Sequence, residues 1–311
     1  MKKKYLVTGG AGFVGSCIAK KLLEEGHEIW IIDNLRTGYL ANVPKAAVFI
    51  QGDCSDQNTI DRLGSTPFDA IFHIAGQSSG EISFENPVYD INSNTVSSLL
   101  LLDFAKKTGC LRFIYASTMS VYGDILGQYA SEKLPPSPKS FYAVGKLATE
   151  NYLRIYSETN DISFTALRYF NVYGPGQNLD NMKQGMASIF LSQLFSSEFP
   201  SIVVKGSLDR FRDFIFIDDV VDITVSCIDE PQAHNKTINV GTGEKTTVKQ
   251  LLEVLMVESK IEKPIIVDGN TPGDQFGICA ETSVLRSFYK KNLTSIGEGL
   301  SLFVKDVLYR Q

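Results

Sequence analysis

The chain has 311 residues, of which 43% are hydrophobic and 21% charged, and a formal net charge of −5. That allows one large globular domain or two modest ones with a real core, and speaks against nonspecific binding to nucleic acid or to an anionic membrane surface. No uninterrupted apolar run of about 18 residues is present to span a bilayer, and no secretory pattern follows Met1, so the expected location is the cytoplasm.

In chain order, β-rich runs fall at residues 5–8, 28–32, 48–51, 70–73, 112–116 and 163–167. Amphipathic stretches predicted as helices lie between them at 12–25, 56–63, 89–108 and 143–158. Strand alternating with helix predicts an α/β fold, a doubly wound parallel sheet covered on both faces. Beyond about Phe170 the pattern turns irregular, then a helix at 219–229 and a strand at 237–240 read as a return to the sheet. The expected organisation is a Rossmann domain of residues 1–170 plus 213–245, and a smaller discontinuous substrate lobe of 171–212 plus 246–311. The five cysteines, Cys17, Cys54, Cys110, Cys227 and Cys279, form no C-x-x-C pair, and with three scattered histidines they give no metal-ligand spacing. Reduced thiols and no metal are expected.

Thr8-Gly9-Gly10-Ala11-Gly12-Phe13-Val14-Gly15 follows the first strand and opens the first helix. Gly9, Gly12 and Gly15 satisfy G-x-x-G-x-x-G, and such glycines let a backbone approach a pyrophosphate at a helix N-terminus. Alone the pattern is weak; its place between strand and helix, with Asp33 closing the second strand, makes it a dinucleotide signal. A carboxylate there accepts from ribose hydroxyls and repels a 2′-phosphate, so NAD is expected over NADP. Arg36 runs against this, since a nearby cation would serve a 2′-phosphate.

Tyr142-Ala143-Val144-Gly145-Lys146 is a Y-x-x-x-K pair, and on a helix its two ends share a face. With 13 tyrosines in the chain the pattern arises by chance, and Tyr129 with Lys133 matches it too. Tyr129 leads into Pro135-Pro136, where no helix is expected, so Tyr142 and Lys146 are chosen. A cation about 4 Å from the phenol at an effective dielectric of about 20 contributes at most about 4 kcal/mol. Together with an oxidised nicotinamide, that is expected to poise Tyr142 as a general base.

These residues together resemble the extended short-chain dehydrogenase/reductases, and within them the NAD-dependent epimerase/dehydratase family of sugar-nucleotide enzymes. Asp33-Asn34-Leu35-Arg36-Thr37-Gly38 is similar to the family's ribose segment, and Gly52-Asp53-Cys54 to the one that meets the adenine. His73-Ile74-Ala75-Gly76-Gln77 resembles the stretch beside the cofactor, and Asn94 matches a motif asparagine. The resemblance places Thr118 at the catalytic hydroxyl position, Phe170 beside the nicotinamide and Asn171 at the nucleotide phosphates. It likewise puts Arg212 on the diphosphate and Asp274 in a sugar-binding R-x-G-D, with Ile278 bordering the sugar's C2 substituent. Two positions depart from the family. Met119 and Ser120 stand where the 4,6-dehydratases carry an Asp-Glu pair, and Thr271 replaces the arginine of R-x-G-D.

The resemblance implies redox-neutral epimerisation at C4 of a UDP-hexose through a 4-keto sugar, with NAD as cofactor and Thr118, Tyr142 and Lys146 as the catalytic group. It also implies a homodimer, for which the run Leu99–Leu102 with Tyr152 and Tyr156 is suited. A 4-keto sugar-nucleotide reductase and a non-catalytic NAD-binding sensor are the rival readings; intact Thr118, Tyr142 and Lys146 weigh against the sensor.

Overall fold

The computed structural model describes residues 1–125, 129–269 and 276–310. The chain opens with β1 (Lys4–Thr8), α1 (Phe13–Glu24), β2 (Glu28–Asp33), β3 (Val48–Gln51), α2 (Gln57–Asp61) and β4 (Ala70–His73). Next come α3 (Gly80–Glu85), α4 (Pro87–Ile91), α5 (Ser97–Thr108), β5 (Arg112–Thr118), α6 (Phe141–Thr159) and β6 (Ser163–Tyr169). The second half adds β7 (Asn171–Tyr173), α7 (Met186–Phe195), β8 (Ile202–Val204), β9 (Phe211–Arg212), β10 (Phe214–Phe216) and α8 (Ile217–Ser226). It closes with β11 (Lys236–Val240), β12 (Thr246–Thr247), α9 (Val248–Ser259), β13 (Ile265–Val267), β14 (Gly277–Ile278), α10 (Ser283–Phe288) and α11 (Ile296–Arg310).

Seven strands form one parallel sheet in the order β11-β6-β5-β4-β1-β2-β3. Alternate side chains of each strand face opposite layers. Tyr5 and Val7 of β1 and Ile114 of β5 enter a core with α1 and α8. Leu6 of β1 with Phe113 and Tyr115 of β5 enter the other, with Leu101 and Leu102 of α5 and Leu153 of α6. Both layers being apolar, the strands read as near-continuous hydrophobic runs. The first core continues into Leu191 of α7, Leu251 of α9 and Phe303 of α11, so the later segments share it. They also build three small sheets, pairing β10 with β7, β13 with β8, and β9 with both β12 and β14.

The helix expected over 89–108 is three pieces. Asn86 caps α4 by accepting from Tyr89 N at 3.0 Å, with Pro87 at its first position. Asn92–Val96 is then a π-helical turn before α5. Ser97 and Ser98 turn their hydroxyls back onto the carbonyls of Ser93 and Asn94, each at 2.6 Å. Such back-bonding loosens the α-helical ladder, and π turns of this kind often sit at functional sites. The later helix runs over Ile217–Ser226 rather than 219–229.

Candidate active site

The sheet's strand order reverses between β1 and β4, the place where doubly wound folds bind ligands. Beyond the carboxyl ends of these strands lies a cleft of about 440 Å³. On its floor the glycine loop is packed too tightly for side chains. Gly9 has φ +70°, and a Cβ there would sit 2.8 Å from Ala75 N; a Cβ on Gly15 would collide with Gly9 O. Gly12 is the N-cap of α1 with no side-chain cap, so that helix end presents bare N–H groups to the cleft.

Asp33 is buried and holds the loop itself. It accepts from Ala11 N at 3.0 Å and from Leu35 N at 2.8 Å. Asp53 accepts from Asn34 Nδ2 at 2.8 Å and from Ser55 N at 2.9 Å. The Arg36 guanidinium stacks over the Tyr89 ring, 4.1 Å from the centroid. Cys54, Thr37, Ile74, Ala75 and Gly76 line the same wall with Phe13 and Val14. This cradle, acceptor-rich at one end and closed to side chains at its floor, fits a dinucleotide.

At the other end of the cleft α6 begins. Ser140 caps it, accepting from Ala143 N at 3.2 Å, which fixes Tyr142 in the first turn. Lys146 Nζ, one turn on, donates to Ala116 O of β5 at 2.8 Å and lies 5.9 Å from the Tyr142 ring centroid. Burial pushes the Tyr142 phenol up to about 12, against hydrogen bonding from Thr118 that lowers it. Burial likewise lowers Lys146 to about 8, with Asp90 and Glu150 opposing. The side chains alone keep the phenol neutral. Thr118 Oγ1 lies 3.2 Å from Ser120 Oγ and accepts from Ser120 N at 3.1 Å. Tyr129, by contrast, lies half-exposed outside any helix, with Lys245 Nζ 4.8 Å over its ring.

Behind this group Glu150 of α6 accepts from Arg168 Nη2 at 2.6 Å and from Ser117 Oγ, a buried knot joining α6 to β5 and β6. His73 bridges Thr8 Oγ1 at 2.8 Å and Ser98 Oγ at 3.0 Å; burial lowers it to about 3, so it is neutral and structural.

Phe170 and Asn171 line the cleft beside the catalytic group, with Asn171 Nδ2 donating to Asp213 O at 3.0 Å. Several expected residues do not form its wall. Gly38 packs against Ala11, and Gln77 and Asn94 are buried just behind Gly76. Arg212 is buried in β9, its Nη1 donating to Phe211 O at 2.8 Å and Phe276 O at 3.2 Å. Ile278 is 1% exposed in a small cluster with Val121, Tyr122 and Phe170. Asp274 and Thr271 lie outside the described residues.

Four contributors were not singled out from sequence. Tyr89 and Ser93 line the cleft from α4 and the π turn. Asp90 of α4 is buried behind the cleft wall. Asp213 of the Arg-Asp-Phe segment is fully buried and accepts from Thr242 N, Gly243 N and Ala280 N at 2.8, 2.9 and 3.0 Å, tying β9 and β10 to β14. Its place directly after Arg212 in the chain was the available signal.

Residues 5–241 match the NAD dependent epimerase/dehydratase family. The chain belongs to that family. It is 30% identical over 300 residues to a protein named as a putative UDP-glucose 4-epimerase from Methanocaldococcus jannaschii, covering 96% of each. Among solved structures it resembles a UDP-glucose 4-epimerase with UDP-glucose from Thermotoga maritima at a TM-score of 0.94 and 30% identity, covering 99% of both chains. It also resembles the Thermus thermophilus UDP-glucose 4-epimerase complex with NAD, at a TM-score of 0.89 and 30% identity over 97% of this chain and 98% of that one. The parallel sheet order matches the expected α/β fold, and the cofactor class follows from the family.

Proposed function

We propose that the protein is an NAD-dependent sugar-nucleotide 4-epimerase acting on a UDP-hexose. The observation that carries this reading is one cleft joining a glycine-floored dinucleotide cradle to the buried group Thr118, Tyr142 and Lys146. The named relatives support it. Residues at the carboxyl edge of the sheet and on α6 would hold the cofactor: the Gly9–Gly15 loop its pyrophosphate, Asp33 and Asp53 its adenosine, Lys146 its nicotinamide ribose. Residues 171–212 and the C-terminal segment hold the sugar nucleotide.

NAD held there would supply reversible hydride acceptance, which no side chain can perform, and a further positive charge in the cleft. Tyr142 removes the proton of the C4 hydroxyl, and Thr118 aligns that hydroxyl by hydrogen bonding. Lys146 stabilises the phenolate by its charge. The resulting 4-keto sugar turns in the site and presents its other face, where hydride return would invert C4, and Tyr142 gives its proton back to the C4 oxygen, so the chain ends each cycle unchanged. Met119 and Ser120 offer no acid-base pair for losing water, so dehydration is not part of the cycle.

Incubating the purified protein with UDP-glucose, UDP-galactose and their N-acetyl counterparts, without added cofactor, tests this by NMR of the sugars. Interconversion at C4 is expected. Turnover only with added NADH and a 4-keto sugar would replace the reading with the reductase, and bound NAD without any turnover with the sensor.

The finer assembly we infer is a homodimer working in the cytoplasm. No described helix is long and apolar enough to cross a membrane, and the five cysteines are unpaired.

A further inference from the structure

Asp90 is a carboxylate that the reaction above does not use, and it is only 1% exposed. It sits in α4, and its Oδ1 accepts from Gln77 Nε2 at 2.7 Å and from Asn94 Nδ2 at 3.3 Å. Its Oδ2 faces α6 at Gly145, where a Cβ would lie 3.5 Å from it; the next residue is Lys146. The π turn is clamped to α6 on both sides of that point. Thr95 Oγ1 donates to Gly145 O at 3.2 Å and Thr149 Oγ1 to Asn94 O at 3.1 Å.

An ionised carboxylate can only accept hydrogen bonds. Asn94 must therefore turn its Nδ2 toward Asp90, with a second bond to Gln77 O at 2.9 Å. Its Oδ1 is thereby forced to the opposite side, where it is buried without a partner. That oxygen and Lys146 Nζ converge on Gly76: a Cβ there would collide with Asn94 Oδ1 and sit 3.2 Å from Lys146 Nζ. An unsatisfied buried acceptor is costly, and here it is aimed at the space beside the ammonium.

We propose that Asp90 is a positioning residue: through Asn94 it turns an acceptor toward Lys146, and it supplies the buried negative charge against which that ammonium is held. This rests on the roles given above to Tyr142 and Lys146. Of the other groups around the lysine, Glu150 also opposes its burial, less than Asp90 does. Glu150 of α6 is paired with Arg168 at 2.6 Å. Tyr142 of α6 and Tyr115 of β5 are pushed up by burial and stay neutral, and His73 of β4 is held neutral.

The direction of the effect follows. Burial lowers Lys146 and Asp90 opposes it, so removing the charge lowers the lysine further. Asp90 also raises Tyr142, so that group falls too. In Asp90→Asn both limbs of the pH–rate profile move to lower pH, by roughly one unit for a single charge acting through an effective dielectric of about 20. Asp90→Ser moves it the same way without depending on one replacement to fold. Asp90→Glu restores the position of the profile even at a reduced rate. All three retain bound NAD, read from the ligand released on heating.

A uniform fall in rate with the profile unmoved, or no change at all, would overturn the role of Asp90 and leave it a brace for the Gln77 loop. Tyr142→Phe run alongside separates the two readings. If that variant is inactive while the Asp90→Asn profile stands still, the role of Asp90 alone is lost; if it is fully active, the assignment of the site falls with it.

Discussion

Tyr142 and Tyr129 carry the same side chain and the same spacing to a lysine, and only one of them has its lysine one helical turn away. Tyr142→Phe is expected to keep the fold and the bound NAD while losing at least about a hundredfold in rate, the lower range for removing a general base. Tyr129→Phe is expected to do little; reversed behaviour in steady-state assays would identify the other tyrosine. A second expectation concerns Arg36, which the bare sequence allows to serve a 2′-phosphate. In the fold it stacks on Tyr89, joining the β2–β3 connection to α4 across the adenosine end of the cleft. A cation–π contact at an exposed site contributes about 0.5–1 kcal/mol, so Tyr89→Ala should release NAD roughly two- to fivefold faster. Tyr89→Phe, which keeps the ring, should not. Stopped-flow or dialysis release of the nucleotide reads both.

Elements set these residues in place, and their legibility depended on period. The first six strands were read within two residues at either end because buried parallel strands are short apolar runs bounded by turns. The strands β5 and β6 run on to Thr118 and Tyr169, where polar and aromatic side chains ended the apolar signal. The small sheets of two- and three-residue strands went unread, since pairs such as Phe211–Arg212 carry no period at all. The same limit hid the break before α5: a helical pattern continues through Asn92–Val96, and only the side-chain bonds of Ser97, Ser98 and Asn94 expose the π turn. Most motif residues on the sheet's own loops fell in the cleft, Gly38 and Gln77 excepted, whereas Arg212 and Ile278 fell in strands whose neighbours the sequence did not identify. The start of α6 gives a testable case. Ser140→Ala removes the cap of the helix that carries Tyr142 and Lys146 and should cost about 1 kcal/mol, read by denaturant unfolding. Because Tyr142 lies in that first turn, the rate should fall at temperatures where the variant is still fully folded.

At the scale of the whole molecule, the decisive feature is what α6 leaves uncovered. One side of it buries Tyr142, Lys146, Glu150 and Leu153 against the sheet. The other exposes Val144, Tyr152 and Ile155, 51%, 38% and 45% accessible, which with Ala148 fall at helical offsets of four, four and three and form one stripe. Val88 and Ile91 of α4 continue it, and Phe84 of α3 packs edge-on against Phe141 at 5.6 Å beside it. Leu101 and Leu102, included in the dimer surface expected from sequence, instead face the core, leaving only Leu99 and Leu100 partly exposed. An apolar surface of this kind is suited to association, and in the proposed homodimer a second copy would meet it with the same patch, as a two-fold interface requires. Ile155→Glu places a charge in the middle of the stripe, where burial without a partner is costly. Light scattering at micromolar concentration should give a dimer for the native chain and a monomer for this variant. Since the same helix carries the site on its inner side, the monomer should also turn over more slowly and lose rate further on dilution no longer. A native chain that is monomeric under those conditions, or a variant that remains dimeric, would place the subunit contact elsewhere.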